Sequence, residues 1–184
     1  MEPFVLRTER LTLNQPNDGD VELIAEFCAD PAFERFMTTP WPYERHHAES
    51  FVEEFVPKGW ANETEWTWAI REATGGPLRG MIGIRLGSGM IGFWLGAPHQ
   101  GHGIMSEAAA AVIDATFART KLDGILWECV LGNEASLSVA RKLGFGFTGQ
   151  ALGMVPSRTG ESVPSWTAEL HRNDSREPKP GWPL

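Results

Sequence analysis

Alternating apolar and polar residues mark several short segments of this chain, and this alternation is the pattern of half-buried β-strands. Glycine, proline and polar residues bound the segments as turns. Strands are predicted over residues 6–14, 66–72, 80–86, 90–95, 125–131, 145–154 and 162–171. The tight turn Gly87-Ser88-Gly89 joins the third and fourth of these as an antiparallel hairpin. The last two segments are predicted to form a closing antiparallel pair.

Between the strands, apolar residues recur at intervals of three and four, which is the period of an amphipathic helix. Helices are predicted over residues 21–29, 32–37, 44–57, 106–119 and 134–143. The helix at 106–119 connects the strands at 90–95 and 125–131, so these two strands are predicted to be parallel. The element order therefore predicts an α+β (mixed α/β) fold. A mixed, mostly antiparallel central sheet is flanked by helices, and it forms neither a barrel nor a sandwich.

Length and composition favour one soluble domain, because the chain has 184 residues with 42% apolar and 22% charged. We place this domain at residues 1–172 and expect a flexible tail at 173–184, which is rich in proline and charge. No apolar run reaches the roughly 18 residues of a membrane span, and the N-terminus lacks the features of a signal peptide. Cys28 and Cys129 supply neither a disulfide framework nor a metal site, so a cytoplasmic protein without a metal is expected.

The net charge of −8 argues against nonspecific binding to nucleic acid, which depends on Lys and Arg neutralising phosphates. It is compatible with a cationic substrate such as an amine. The alternative explanation for the negative charge is that it serves solubility alone.

Two glycines stand where an apolar strand passes into a helix. Gly101 and Gly103 follow the strand at 90–95 and precede the helix at 106–119. Glycine lets backbone N–H groups converge, and a helix N-terminus adds positive partial charge. The segment is therefore predicted to cradle a phosphate.

Two motifs of this chain lie about thirty residues apart. The first combines the strand Gly92-Phe93-Trp94-Leu95 with the glycine loop Gln100-Gly101-His102-Gly103-Ile104-Met105. The second is Asn133-Glu134-Ala135-Ser136 followed by Arg141-Lys142-Leu143-Gly144-Phe145. Together they resemble the GCN5-related N-acetyltransferase (GNAT) superfamily, and within it the ribosomal-protein N-terminal acetyltransferases of the RimJ/RimL type. Gln100 and Gly103 match the family pattern Gln/Arg-x-x-Gly-x-Gly/Ala, whereas Met105 replaces its small sixth residue, and the second motif resembles the subgroup's Asn-x-x-Ser and Glu-Lys-Leu-Gly-Phe segments.

This resemblance implies acetyl-CoA as cosubstrate, a primary amine as acceptor, and two parallel strands that splay at their Leu95 and Leu131 ends. It assigns cofactor contacts to residues of both motifs: Phe93, Trp94, Leu95, Gln100, Gly101, His102, Gly103, Ile104, Met105, Ser106, Asn133 and Ser136. The expected partners are acetyl-CoA and the amine, with no nucleic acid and no membrane. A homodimer is left open.

For the chemistry of transfer, the resemblance points first to Asn133 and Ser136. The amide of Asn133 can bond the pantetheine arm, although the same residue suits a helix N-cap. Ser136, one turn into the helix, could reach the thioester sulfur. Where many acetyltransferases of the superfamily place a tyrosine that protonates the leaving thiolate, this chain has Ala140. Ser136 is therefore predicted to take that role, with water or an absence of any transfer as the alternatives.

Glu128 is the predicted general base, because it lies in an otherwise apolar strand where an acid needs a partner or a task. A structural ion pair or exposure to solvent is the alternative. The other candidates for the base are Glu107, His46, His47, His99 and His102. Trp41 and Trp60 are predicted to shape an acceptor pocket, which is expected to come from the least patterned segments, 14–64 and 151–166.

The predicted function is direct transfer of an acetyl group from acetyl-CoA to an amine. No covalent intermediate is expected on Cys129, which lies in a predicted buried strand. At pH 7 an α-amine is roughly 15% neutral but a lysine only about 0.04%, so a site without an obvious base favours α-amines or weakly basic small amines. The alternatives are a different acyl group and a catalytically silent CoA-binding or sensing domain.

Overall fold

The computed structural model describes residues 1–73, 75–154 and 160–183. Its strands are β1 (Leu6–Arg7), β2 (Leu11–Asn14), β3 (Glu65–Glu72), β4 (Gly75–Arg85), β5 (Ile91–Leu95), β6 (Gly124–Val130), β7 (Gly146–Leu152) and β8 (Pro164–His171). Its helices are α1 (Val21–Cys28), α2 (Pro31–Phe36), α3 (Arg45–Ser50), α4 (Val56–Ala61), α5 (Ile104–Arg119) and α6 (Glu134–Lys142). The predicted α+β class and the hairpin between β4 and β5 are confirmed.

Two antiparallel sheets make up the strand layer. Strands β1 to β5 form a five-stranded sheet in sequence order, and β6, β8 and β7 form a three-stranded sheet with β8 in the middle. The sheets meet through one parallel bridge between Met90 and Leu126, where the Leu126 N–H donates to the Gly89 carbonyl at 2.9 Å. Beyond this bridge β5 and β6 are not paired with each other, so the predicted parallel strands diverge toward Leu95 and Val130.

The boundaries differ most from the prediction in three places. Strand β4 begins at Gly75, whereas residue 80 was its predicted start. The first predicted strand is a small hairpin, because the chain turns at Thr8, whose N–H donates to the Leu11 carbonyl at 2.9 Å. The predicted helix at 44–57 continues to Ala61 through a π-helical segment at Phe51–Phe55. Pro57 has no N–H to donate, so the wider π turn just before it lets the helix continue past a residue that was expected to end it.

The main core lies between the five-stranded sheet and α5. Helix α5 presents a fully buried stripe of Ala108, Ala109, Val112 and Ile113 to the strands. An aromatic cluster of Phe4, Trp60, Trp66 and Trp68 fills the end of this core, with ring centroids 5.1–6.2 Å apart. These rings bury a large apolar area and so pack α4 against β3 of the sheet.

The C-terminal segment, of which residues 173–183 are described, lies along α5, α6 and β7. Arg176 pairs with Asp114 at 2.9 Å, and the Trp182 ring packs 5.8 Å from Trp127 and 5.2 Å from Phe147. Gly144 adopts a φ of +80°, and a Cβ there would lie 2.7 Å from the Arg176 backbone. The predicted flexibility of this tail stays a prediction. None of the helices within the described ranges is long and apolar enough to cross a membrane.

Candidate active site

The divergence of β5 and β6 opens the molecule on both sides of β5. On one side lies a cleft of about 340 Å³, here called the loop cleft, which is lined by the glycine loop and α6. On the other side lies a cavity of about 280 Å³, here called the sheet cavity, which is lined by β3 to β6 and by the segment after α2. The two share six lining residues: Phe36, Met37, Phe93, Trp94, Asn133 and Ser136.

The glycine loop has a backbone conformation that residues other than glycine rarely adopt. Gly101 and Gly103 have φ values of +80° and +74°, in the left-handed region that costs a side chain of L configuration. Gln100 turns its side-chain amide back to donate to the Leu95 carbonyl at 3.1 Å, which ties the loop to the end of β5. The first amides of α5 have no carbonyl of their own helix ahead of them, so they remain available for an anion at this end.

An acidic anchor behind the loop fixes the start of α5. Glu107 accepts hydrogen bonds from Thr8 and from the Arg10 side chain, at 2.6 Å from Arg10 Nε, while Arg10 Nη1 donates to the His102 carbonyl at 3.2 Å. Burial raises the pKa of Glu107, but these hydrogen bonds outweigh it and hold the pKa below its usual value. A carboxylate with a lowered pKa is a weak base, so the geometry favours an anchoring role for Glu107 over general-base catalysis.

Most of the predicted cofactor contacts lie together. Eleven of the twelve residues line the loop cleft: Phe93, Trp94, Leu95, Gln100, Gly101, Gly103, Ile104, Met105, Ser106, Asn133 and Ser136. His102 is outside that lining and is exposed, with its carbonyl bound to Arg10. The Met105 side chain is 5% exposed and belongs to the main core. At this position of the glycine-loop motif, where the family has a small residue, Met105 therefore offers the loop cleft mainly its backbone. Whether any of these residues binds a cofactor stays a prediction.

Asn133 and Ser136 each make a hydrogen bond within the protein, and these bonds determine which of their polar atoms remain available. Asn133 caps α6, since its Oδ1 accepts from the Ser136 N–H at 3.2 Å. The Ser136 hydroxyl oxygen accepts a hydrogen bond from the Trp127 indole N–H at 3.1 Å. Because a hydroxyl has one proton and two acceptor sites, this bond leaves the Ser136 proton to donate elsewhere, and the Cys129 sulfur is one acceptor within its reach. Trp127 is buried in the core, and its indole N–H also orients the serine.

Glu128 lies half-buried in the wall of the sheet cavity and accepts from the Met154 N–H at 2.8 Å. It follows the Met90–Leu126 bridge by two residues, which places it level with Gly92 and Phe93 on β5. None of the five histidines, all of them within the described ranges, lines either opening. His46 and His47 instead contact Glu44 at the start of α3, and burial together with Arg79 lowers the pKa of His99.

Cys129 also lines the sheet cavity, but burial raises the pKa of its thiol to about 12. A thiol with so high a pKa supplies almost no thiolate near neutral pH, and the thiolate is the nucleophile. Direct transfer without an enzyme-bound intermediate remains the mechanism that the site favours.

Glu65 is an acid of the sheet cavity that the sequence analysis missed. It begins β3, its side chain is only 20% exposed, and its one ion pair is with Arg85, at 3.3 Å. Burial raises the pKa of Glu65 more strongly than Arg85 and Thr67 lower it. The alternation Glu65-Trp66-Thr67-Trp68 was the available signal, since it places Glu65 and Thr67 on the opposite face from two core tryptophans.

The prediction that Trp60 shapes an acceptor pocket is wrong, because Trp60 is 1% exposed inside the aromatic cluster of the core. Trp41 packs against the smaller core beside α1 and is outside the lining of both openings. Of the segments expected to form the acceptor pocket, residues 155–159 lie outside the described residues. Within the described part of the chain, no group of three or more His, Cys, Asp and Glu side chains could hold a metal ion.

The sequence and the fold are both similar to those of known acetyltransferases. The model of the acetyltransferase (GNAT) domain family matches residues 10–146. An uncharacterized N-acetyltransferase p20 of Bacillus licheniformis is 28% identical over 148 residues, or 76% of this chain and 81% of the relative. A putative ribosomal-protein-serine acetyltransferase from Vibrio cholerae superposes with a TM-score of 0.78 at 22% identity, covering 91% of this chain and 97% of that one. RimL, a ribosomal L7/L12 alpha-N-protein acetyltransferase solved with coenzyme A, gives a TM-score of 0.77 at 17% identity, covering 91% and 98%.

Proposed function

The chain belongs to the GNAT family of acetyltransferases, and from that premise we propose that it acetylates α-amines or weakly basic primary amines by direct transfer. It is an N-acetyltransferase that takes the acetyl group from acetyl-CoA. The observation that carries the finer proposal is the continuity of the two openings across Phe93, Asn133 and Ser136. One opening has the glycine loop with the first amides of α5, which suit a phosphate, and the other has carboxylates, so a thioester and an amine could meet between them.

The residues of the loop cleft fit coenzyme A by the chemistry of their donors. The amides that begin α5 suit an anion, and Lys142 lines the same cleft although the chain carries a net charge of −8. Bound there, acetyl-CoA would supply an acetyl thioester, and the amides and Lys142 would hold its phosphates.

The β5 backbone would stabilise the oxygen that gains negative charge during transfer. Strand β5 is hydrogen-bonded to β4 on one side only, because β6 leaves it beyond Met90. Alternate N–H groups of β5 near Phe93 therefore point into the opening between the strands. Backbone donors fixed in advance are effective at stabilising a developing oxyanion.

Two side chains would then move the protons. Ser136, held by Trp127, would donate to the leaving thiolate. Glu128, level with Phe93 on the facing strand, would accept the proton that the attacking amine loses. Water in place of Ser136 is the alternative. Ala140, the position of the usual tyrosine, is fully buried and supplies no hydroxyl.

We extend the proposal to the acceptor and the cell compartment. The neighbouring structures named as ribosomal-protein acetyltransferases support the N-terminus of a protein or peptide as acceptor, acting in the cytoplasm. A small-molecule amine, another acyl group and a homodimer remain subordinate proposals.

The experiment combines calorimetry of acetyl-CoA with thiol release measured against a panel of peptide N-termini and small amines. We expect binding of acetyl-CoA and faster thiol release with at least one amine than with water. Binding without any thiol release would identify a silent CoA-binding domain instead.

A further inference from the structure

The sheet cavity contains an acid that the proposed transfer does not use. Within the described residues its ionisable lining groups are Glu65, Arg85, Glu128 and Cys129. Glu128 stands beside the transfer point, and the Cys129 thiol stays protonated. Glu65 and Arg85 lie at the far end of the cavity, next to one another on β3 and β4.

The register of the strands gives the separation between Glu65 and the transfer point. Phe93 pairs with Ile82 on β4, whereas Glu65 pairs with Arg85, three residues further along that strand. Strands rise about 3.3 Å per residue and lie about 4.8 Å apart, and Glu65 is two strands away from β5. The Glu65 backbone therefore lies about 14 Å from the Phe93 backbone. A hydrogen bond spans only about 3 Å, so Glu65 cannot act on the reacting nitrogen.

Arg85 and Thr67 compensate the charge of Glu65 only in part, because burial still holds the pKa of this carboxyl above its usual value. Its partner Arg85 reaches it through one nitrogen at 3.3 Å and keeps 46% of its own side chain exposed. Glycine at position 83 leaves the space in front of the carboxylate clear, since a Cβ there would lie 3.1 Å from Glu65 Oε1. From Glu65 toward the transfer point the β3 wall carries Thr67, and apolar side chains of the same cavity include Phe51, whose ring stacks on that of Phe55.

Resting on the proposed function, we propose that Glu65 is an acceptor-binding residue that takes a second positive group of an extended amine. The reacting nitrogen sits beside Phe93 and Glu128, an apolar chain crosses the cavity, and the distal ammonium donates to Glu65. A half-buried carboxylate with an incomplete partner gains more from such a cation than a fully exposed one would. A hydrogen bond to Glu65 takes up about 3 Å of the separation of about 14 Å, so the acceptor class is a dication with its charges roughly 11 Å apart.

The probes are 1,8-diaminooctane and n-octylamine, which differ only in the second ammonium. Calorimetry measures the binding of each to the protein saturated with coenzyme A, a complex that cannot react. We expect the diamine to bind at least tenfold more tightly than the monoamine to the wild type. Glu65→Gln should remove this preference, while Glu53→Gln, an exposed acid outside both openings, should keep it.

Two further variants separate binding from a structural role. Arg85→Gln breaks the same ion pair but keeps the carboxylate, so the preference for the diamine should persist. Gly83→Ala crowds the carboxylate without removing it and should reduce the preference partly. Equal preference in the wild type and Glu65→Gln, or its equal loss in Arg85→Gln, would overturn the inference. An absence of thiol release with every amine would instead refute the proposed function, and the calorimetric comparison would still be decisive.

Discussion

The loop cleft and the sheet cavity meet at Phe93, yet they are built in different ways. Fifteen of the 19 residues that line the loop cleft lie in two short segments, 93–106 and 133–142, and the other four lie between Ala32 and Met37. The sheet cavity is lined by residues from the segment after α2, the π-helical turn and four strands. The proposed site for the cosubstrate is thus mostly local in sequence, whereas the proposed site for the acceptor depends on the tertiary fold.

This difference has a functional consequence. Backbone amides vary little when side chains change, so the loop cleft suits a ligand that all members of a family share. Side chains such as Glu65, Phe51 and Glu128 can change without disturbing the loop. Acceptor specificity can therefore diverge while cofactor binding is kept.

The largest effect is expected where the two regions meet. Ser136→Ala should lower kcat by roughly 10²–10⁴-fold, the range of general acid–base catalysis, with little change in acetyl-CoA affinity. Steady-state kinetics and calorimetry on the same preparation check this, with Ser50→Ala as an exposed control. Wild-type kcat in Ser136→Ala would assign the protonation of the thiolate to water.

Trp127→Phe should produce a smaller loss in the same direction. It deletes the indole N–H that holds the Ser136 hydroxyl at 3.1 Å but keeps an aromatic ring in the core. We expect kcat to fall about tenfold, measured beside the Ser136→Ala variant. The double variant should lose no more than Ser136→Ala alone; additive losses would show that Trp127 acts independently of the serine.

The acceptor side is tested by a pair of peptides, one with a free N-terminus and no lysine and the other with a blocked N-terminus and one lysine. At pH 7 the neutral fractions differ by a few hundredfold, and Glu128 is the only base that we propose. We expect kcat/KM to favour the free N-terminus by up to that factor and to level off with pH near the pKa of the amine. If the lysine peptide were acetylated faster than the peptide with a free N-terminus at pH 7, the prediction would be wrong, and the site would need a stronger base than Glu128.

The smallest expected effect concerns the anchor of the glycine loop. Because hydrogen bonds lower the pKa of Glu107 in the folded protein, its stabilisation is present above the ordinary value of 4.5 and is lost as the pH falls through the folded pKa. Glu107→Gln should therefore lower Tm by about 2–4 °C at pH 7 and by less at pH 4. Thermal melts at both pH values check this. Glu54→Gln, which breaks an exposed pair with Lys58, should change Tm little at either pH.

The sequence predicted the fold and the loop cleft better than it predicted the sheet cavity. Gly101, Gly103 and Ser136 lie in contiguous motifs whose local geometry follows from residue type. By contrast Arg10, which bonds to Glu107 from 97 positions away, has no local signal. Glu65 was missed because a charged residue at the start of a strand is usually solvated. Trp60 was wrongly predicted to line the acceptor pocket because helix α4 continues past Pro57 and places it in the core.

The central claim is that the loop cleft holds the cosubstrate and the sheet cavity does not. Calorimetry of acetyl-CoA on three variants tests it: Gly101→Val, Gly75→Val and Glu128→Gln. Gly101 and Gly75 both have positive φ and no heavy atom within 4 Å of an added Cβ, so Gly75→Val controls for backbone strain. The account predicts that Gly101→Val weakens acetyl-CoA at least tenfold, about 1.4 kcal/mol, while the other two bind like the wild type. Wild-type affinity in a folded Gly101→Val, or an equal loss in Glu128→Gln, would contradict it.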